Sequence, residues 1–191
     1  MFYHDGQREL QDHFDSRRIA DRLAETIRHS SFTTQDREFI ASRSMFFLAT
    51  ASHHGQPDCS YKGGRPGFVR VLDDATLEFP DYDGNGQFRS LGNVLVNPAI
   101  GLLFIDFESP RRIRVNGRAS IIREAALLAE FPGAQLLVRV QVSDIFPNCP
   151  RYIHAATQTE PSVYAPAAGY QPPEPEWKRM PQFAEYLPRK T

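Results

Sequence analysis

The chain has 191 residues, the size of one ordinary domain, which leaves little room for a second catalytic domain. Its 22 basic and 23 acidic residues give a net charge of -1, so no excess of positive charge favours nucleic acid or an anionic membrane as a partner. Fourteen Phe and seven Tyr favour a β-rich fold, because aromatic side chains suit a half-buried pleated surface. The polar N-terminus and the lack of a long apolar run predict a cytoplasmic protein.

Two helices are predicted before the first strand. Between Asp15 and His29 the apolar residues recur at helical spacing and predict a helix that lies over a core. This stripe consists of Ile19, Ala20, Leu23, Ala24 and Ile27. A second helix is predicted from near Thr33 to near Ser42, because Thr33 and Asp36 form a weak capping box.

The middle of the chain is predicted to consist mostly of strands. Short apolar or alternating runs, separated by turn residues, indicate these strands. They are Met45–Ser52, Gln56–Tyr61, Phe68–Leu72, Thr76–Phe79, Ala99–Phe107, Arg112–Arg123 and Leu136–Ile145. Short helices are predicted at Phe88–Val96 and Glu124–Phe131. Six or seven strands with few helices favour a mainly β (α+β) fold, a small closed or split barrel, over a doubly wound sheet.

Three parts are predicted along the chain: N-terminal helices over residues 1–43, a barrel over residues 44–157 and a Pro-rich tail over residues 158–191. The tail composition does not suit a core element. Cys59 and Cys149 lie far apart and outside any CxxC or Cys/His cluster, so neither a disulfide framework nor a metal site is predicted.

Basic and amide side chains lie beside two glycine-rich turns between residues 61 and 106. A bound phosphate needs several charge-assisted donors on a rigid frame, and such donors are present here. Lys62 stands in the loop YKGGRPG, Arg70 lies within a strand, and Asn85 lies between two glycines in DGNG. Arg89 and Ser90 begin the short helix, whose first N–H groups favour an anion. Each residue taken alone fits an ordinary solvated strand, loop or turn, but their order along the chain favours a phosphate site.

The segment from Phe32 to Arg123 resembles the oxidase-related FMN-binding split-barrel proteins of the pyridoxamine 5'-phosphate oxidase superfamily. The resemblance rests on the motifs FFLATAS, PGFVRV, SLGN, NPAIGLLFID and NGRA. It implies a split β-barrel of the FMN-binding type, in which Arg70, Arg89 and Ser90 hold the phosphate of FMN. It also implies that Asp81 and Asn85 lie near the ribityl chain and phosphate. The backbone of Phe68 and Val69 would lie along the isoalloxazine ring.

The same resemblance implies a homodimer with FMN at the subunit interface, where Arg112, Arg114 or Asn116 reaches the neighbour's cofactor. True oxidases of this superfamily carry a serine-arginine-lysine run at the helix start and a C-terminal arginine/histidine pair that grips the substrate phosphate, and the sequence has neither. The predicted function is therefore an FMN-binding flavoprotein, an oxidoreductase of the oxidase-related type acting on an unknown small substrate. A non-catalytic flavin or haem carrier of the same fold, and the use of a deazaflavin, remain open. No catalytic side chain is predicted.

Overall fold

The computed structural model describes residues 2–157, 160–184 and 186–187, and a seven-stranded antiparallel sheet forms its centre. The strands are β1 (Met45–Ala51), β2 (Pro57–Gly63), β3 (Arg70–Val71), β4 (Thr76–Tyr82), β5 (Ala99–Asp106), β6 (Arg111–Ile122) and β7 (Ala134–Pro147). Their order in the sheet is β2-β1-β5-β6-β7-β4-β3. The predicted fold class, a mainly β split barrel with added helices, is confirmed.

Short helices surround the sheet. They are α1 (Asp5–His13), α2 (Arg17–Ile27), α3 (Thr34–Ala41), α4 (Arg89–Val96), α5 (Ala125–Leu128) and α6 (Pro181–Ala184), with a 3-10 turn at Glu176–Arg179. The predicted capping box is present at the start of α3, where the Asp36 N–H donates to Thr33 Oγ1 at 3.2 Å and the Thr33 N–H donates to Asp36 Oδ2 at 2.9 Å. Phe39 and Ile40 form the apolar face of this helix and are buried.

The expectation that the stripe from Ile19 to Ile27 covers a core is wrong. None of the residues of α2 is buried, and Ile19 and Leu23 are 57% and 43% exposed. The partner of α2 is α1, a helix that the sequence patterns did not predict. Arg8 of α1 forms an ion pair with Asp21 at 2.7 Å. Helical periodicity identifies an apolar face but carries no information about what covers it.

The barrel core is built around three fully buried phenylalanines. The ring of Phe46 in β1 lies 4.9 Å from that of Phe79 in β4 and 5.1 Å from that of Phe104 in β5. Because β1 and β4 lie far apart in the strand order, these contacts require the sheet to curl around its own core. α4 packs on β1, β2 and β6 and contributes Leu91 and Val94 to the core.

One predicted strand is much shorter than expected. Phe68–Leu72 reduces to the two residues of β3, because a turn precedes it in which the Phe68 N–H donates to the Arg65 carbonyl at 3.0 Å. Phe68 and Val69 are both buried, at 6% and 2% exposure, which departs from strand alternation.

The predicted division into three parts remains a prediction. Residues 158, 159, 185 and 188–191 of the predicted tail lie outside the described residues. Across the described ranges, every helix is too short or too polar to cross a membrane.

Candidate functional site

A row of polar side chains follows one face of β2. Asp58, Ser60 and Lys62 are partly buried, whereas the residues that alternate with them are exposed. Side chains at every second position of a strand share a face, so these three point toward the same side of the sheet. We call Asp58, Ser60 and Lys62 the β2 row.

The first turn of α4 contacts one end of the β2 row. Ser90 Oγ donates to Asp58 Oδ2 at 2.7 Å and lies 3.0 Å from Ser60 Oγ. Arg89 Nε lies 3.5 Å from Asp58 Oδ1, and the Arg89 side chain remains 67% exposed. The predicted helix-start residues are thus brought onto β2, where a carboxylate already accepts from them.

The other end of the β2 row contacts β4. Lys62 Nζ lies 3.2 Å from Asp81 Oδ1, and Asp81 also accepts from Gln135 Nε2 at 3.1 Å. Asp81 is only 8% exposed, and these two contacts give its buried carboxylate oxygens hydrogen-bond partners. The structure therefore unites four predicted site residues along one strand: Lys62, Asp81, Arg89 and Ser90.

The charges along this row balance. Asp58 and Asp81 contribute two negative charges, and Lys62 and Arg89 contribute two positive charges. A dianionic phosphate entering here would compete with Asp58 for Arg89 and Ser90. The donor set suits a phosphate, but the site is not strongly positive.

The turn before α4 has an unusual backbone. Asn85 Oδ1 accepts from the Gln87 N–H at 3.0 Å, and Gly86 has φ 74°. Phe88 follows at φ 48° and ψ 31°, a left-handed conformation that costs a side-chain-bearing residue about 1–2 kcal/mol. Strained backbone of this kind clusters at binding sites, and Phe88 directly precedes Arg89.

Arg70 has partners of its own. Its Nη1 lies 2.8 Å from Glu130 Oε2, its Nη2 donates to the Glu130 carbonyl at 2.9 Å, and its Cζ lies 3.7 Å from the centre of the Phe131 ring. Among the described residues, no contact joins Arg70 to the β2 row or to α4. A shared phosphate for Arg70, Arg89 and Ser90 therefore stays a prediction.

The remaining predicted residues lie in the core or on β6. Phe68 and Val69 are buried, and the contact of their backbone with the isoalloxazine ring stays a prediction. Arg112 donates to the Cys149 carbonyl at 2.8 Å, and its buried Nε has no partner within the described part of the chain. Arg114 is exposed on β6. Their contact with a partner's cofactor stays a prediction.

Sequence comparison decides the family. The sequence model of the pyridoxamine 5'-phosphate oxidase family matches residues 32–148, which is more than half of the chain. The chain belongs to the pyridoxamine 5'-phosphate oxidase family. The resemblance inferred from the motifs is confirmed, and the β2 row, β4 and the start of α4 all lie inside the matched segment.

Solved structures of other proteins are similar to this family member. HupZ of Group A Streptococcus is 23% identical with a TM-score of 0.50, and the match covers 66% of this chain and 100% of that chain. A candidate pyridoxamine 5'-phosphate oxidase of Lactobacillus delbrueckii is 19% identical with a TM-score of 0.52, covering 62% of this chain and 95% of that chain. An FMN-binding protein of Syntrophomonas wolfei is 15% identical with a TM-score of 0.45, covering 74% and 96%. No curated protein matches this member of the pyridoxamine 5'-phosphate oxidase family.

Sequence reasoning missed Asp58, Ser60 and Gln135 in this family member. The first two carried a usable signal, because they lie two residues apart within the predicted strand Gln56–Tyr61 and so share a face, whereas Lys62 was predicted in the loop that follows and only the structure extends the strand to Gly63. Gln135 carried none, since it reaches Asp81 only through the pairing of β4 with β7.

Proposed function

We propose that this member of the pyridoxamine 5'-phosphate oxidase family is an FMN-binding flavoprotein that works as an oxidoreductase on a small substrate. The observation that carries the proposal is the contact between the first turn of α4 and the β2 row, inside the segment that matches the family. It gathers a hydroxyl, a guanidinium and an ammonium group on one face. FMN bound there would supply the hydride chemistry, and the protein would supply binding and orientation.

The phosphate would be held by Arg89, Ser90 and the first N–H groups of α4. Arg89 is free to turn because its side chain is largely exposed, and an arginine can donate to two phosphate oxygens at once. When FMN binds, Arg89 would leave Asp58 and contact the phosphate, so one charge-assisted contact would replace another. Lys62 would stand along the same face, two residues beyond Ser60, and lend a second positive charge.

A homodimer is part of the proposal. Tyr61, Phe47 and Leu103 lie side by side on β2, β1 and β5, and Tyr61 is 59% exposed. Arg114 pairs with Leu103 and extends this row onto β6. An apolar row that ends in an exposed arginine suits a second copy, and Arg114 would then lie at the edge of the interface, from where it could reach the neighbour's cofactor.

The decisive experiment is a titration of the purified protein with FMN, followed by flavin fluorescence and by the flavin absorbance bands. We expect saturable binding at one FMN per chain, loss of the bands when a nicotinamide donor is added, and a dimer by size-exclusion chromatography. Ser90→Ala and Arg89→Ala should weaken FMN binding, whereas Arg22→Ala, which removes an exposed ion pair with Glu25 on α2, should not.

Other outcomes would replace the proposal. A Soret band in the purified protein would indicate a haem carrier, and preferential binding of a deazaflavin would change the cofactor. If FMN binds but no donor reduces it, the protein would be a flavin carrier. Protein that neither carries nor binds any of these cofactors would overturn the proposal, and a monomer would remove its dimeric part.

A further inference from the structure

A cleft of about 720 Å³ lies between one end of the barrel and the C-terminal segment. The barrel side is formed by the start of β1, the end of β2, the residues that end and follow β4, and the end of β5. The other side is formed by residues 156–157, 160–162 and 164–165. No residue of the β2 row or the first turn of α4 lines the cleft, so it is separate from the proposed phosphate site.

The walls of the cleft are aromatic. Tyr61, Tyr82, Phe107 and Tyr164 line it, together with the apolar side chains of Met45 and Ile105 and the bare backbone of Gly63 and Gly64. Burial raises the pKa of Tyr82, with a smaller opposing effect from the charge of Arg70, so the Tyr82 hydroxyl stays neutral at physiological pH. The volume and the mixture of apolar walls with a few polar groups are typical of small-molecule sites.

The charge of the cleft is negative. Four acidic residues line it, Asp83, Asp106, Glu108 and Glu160, against the single basic residue Arg43, so the formal charge is four negative minus one positive, a net -3. Arg43 and Asp106 neutralise each other through a contact of 2.9 Å, and their side chains are only 19% and 16% exposed.

Two of these four carboxylates, those of Glu108 and Glu160, have no counter-charge among residues 2–157, 160–184 and 186–187, whereas Asp83 and Asp106 each have one. Asp83 pairs with Lys178 from outside the cleft. Glu108 and Glu160 have no hydrogen bond or ion pair from their carboxylates within the part of the chain that the structure describes. They stand on opposite sides, Glu108 just beyond the end of β5 and Glu160 on the C-terminal segment. Both residues are exposed, and a cation in the cleft would be attracted by both carboxylates.

We propose that this cleft binds a small organic cation, an amine or quaternary ammonium group carried on an apolar body. The aromatic faces attract a cation and cover the apolar body, and the two free carboxylates favour positive charge. A phosphorylated or carboxylated ligand would meet uncompensated negative charge. The inference goes beyond the proposed function and does not depend on whether FMN binds.

The test is isothermal titration calorimetry of the full chain with 2-phenylethylamine as the probe. Its matched anion, 3-phenylpropionate, and the neutral 2-phenylethanol have a similar body and differ in the charged group. We expect the amine to bind at least tenfold more tightly than either, with affinity that falls as salt is added. Failure of the amine to bind, or equal binding of the anion, would overturn the proposal.

Variants locate the bound amine. Glu108→Gln and Glu160→Gln keep the side-chain shape and should each weaken amine binding roughly threefold to tenfold. Tyr164→Ala should weaken it by a similar factor, because it removes one aromatic wall of the cleft. Glu174→Gln is the matched control, since Glu174 pairs with Arg179 outside the cleft, and it should leave amine binding unchanged. Unchanged binding in all three cleft variants would place the amine elsewhere and refute the assignment.

Discussion

Lys62 and Asp81 form an ion pair of 3.2 Å that joins the two ends of the sheet. Lys62 lies on β2, at one edge, and Asp81 lies on β4, beside the other edge, with β1, β5, β6 and β7 between them in the strand order. The contact exists only because the sheet curls into a barrel. It also places the β2 row between β4 and the start of α4, which makes the closure of the barrel part of the candidate site.

Removal of Lys62 should destabilise the barrel. In Lys62→Met, the largely buried Asp81 keeps the hydrogen bond from Gln135 but loses its counter-charge, so we expect a loss of about 2 kcal/mol in the free energy of unfolding. Urea denaturation measures this loss. Arg22→Met breaks an exposed pair and should change stability by less than about 0.5 kcal/mol. Equal stability of Lys62→Met and the natural protein would show that the pair does not secure the closure.

Replacement of Asp58 should strengthen phosphate binding. Asp58→Asn removes the carboxylate that competes for Arg89 and Ser90 and leaves a side chain of the same size. We expect FMN affinity to rise about tenfold, since one repulsive charge near a dianion is removed at a partly exposed site. Asp12→Asn, on the remote α1, is the control. Weaker binding in Asp58→Asn would mean that Asp58 assists the ligand.

Replacement of Arg70 should lower both FMN affinity and stability, whereas replacement of Arg89 should lower FMN affinity alone. If Arg70 clasps a largely buried phosphate, as the sequence predicts, Arg70→Ala should weaken FMN binding by roughly 2–5 kcal/mol. Its contacts with Glu130 and Phe131 add an expected loss of about 1 kcal/mol in stability. Arg89→Ala, at an exposed side chain, should affect FMN binding alone. Parallel FMN titrations and urea denaturation separate the two effects, and unchanged FMN affinity in Arg70→Ala would remove Arg70 from the site.

The ionised carboxylate of Asp106 should stabilise the folded protein, and this stabilisation should be lost at acidic pH. Burial by itself raises the pKa of Asp106, but the backbone N–H groups of Ser109 and Glu108 and the charge of Arg43 outweigh it and hold the pKa below its ordinary value of 3.8. The folded state therefore binds the proton less readily than the unfolded state. The stabilisation is fully present above about pH 4 and is lost as the pH falls through 3.8 toward the lower folded pKa.

The measurement compares unfolding of the natural protein and Asp106→Asn between pH 7 and pH 3. The natural protein should be the more stable at pH 7, and the difference should shrink below pH 4. Asp74→Asn replaces a carboxylate with an 85% exposed side chain and serves as the control. A difference that stays constant across the range would contradict the assignment to Asp106 ionisation.

Gly117 should tolerate no side chain. It lies where the pairing of β6 with β7 shifts register, and a Cβ added there would lie 2.3 Å from the Gln141 carbonyl oxygen. Because that atom belongs to the backbone of a central strand, Gly117→Ala should cost about 3 kcal/mol of stability. Gly92→Ala within α4 meets nothing within 4 Å and should instead add up to about 1 kcal/mol. Thermal and urea unfolding of both variants measure the contrast, and a stable Gly117→Ala would show that the bulge can relax.

Local patterns were enough to predict most of the elements and the family, although they missed α1 and made β3 too long. The capping box of Thr33 with Asp36, the apolar run of β5 and the alternation of β6 each depend on residues close together in the chain. The same holds for the Gly-rich turn around Asn85 and the helix start at Arg89. Short-range sterics and side-chain periodicity act within a few residues, so the sequence alone determines them.

Only the tertiary structure decided which polar and charged side chains meet. Arg70 and Glu130 lie 60 residues apart, and Ser90 reaches Asp58 across 32 residues. The sequence also could not predict that the apolar stripe of α2 is exposed, because burial of a stripe depends on how the chain packs and not on the spacing of its residues. Ion pairs and burial follow from strand order and sheet curvature, and these come from the sum of many weak contacts over the whole chain.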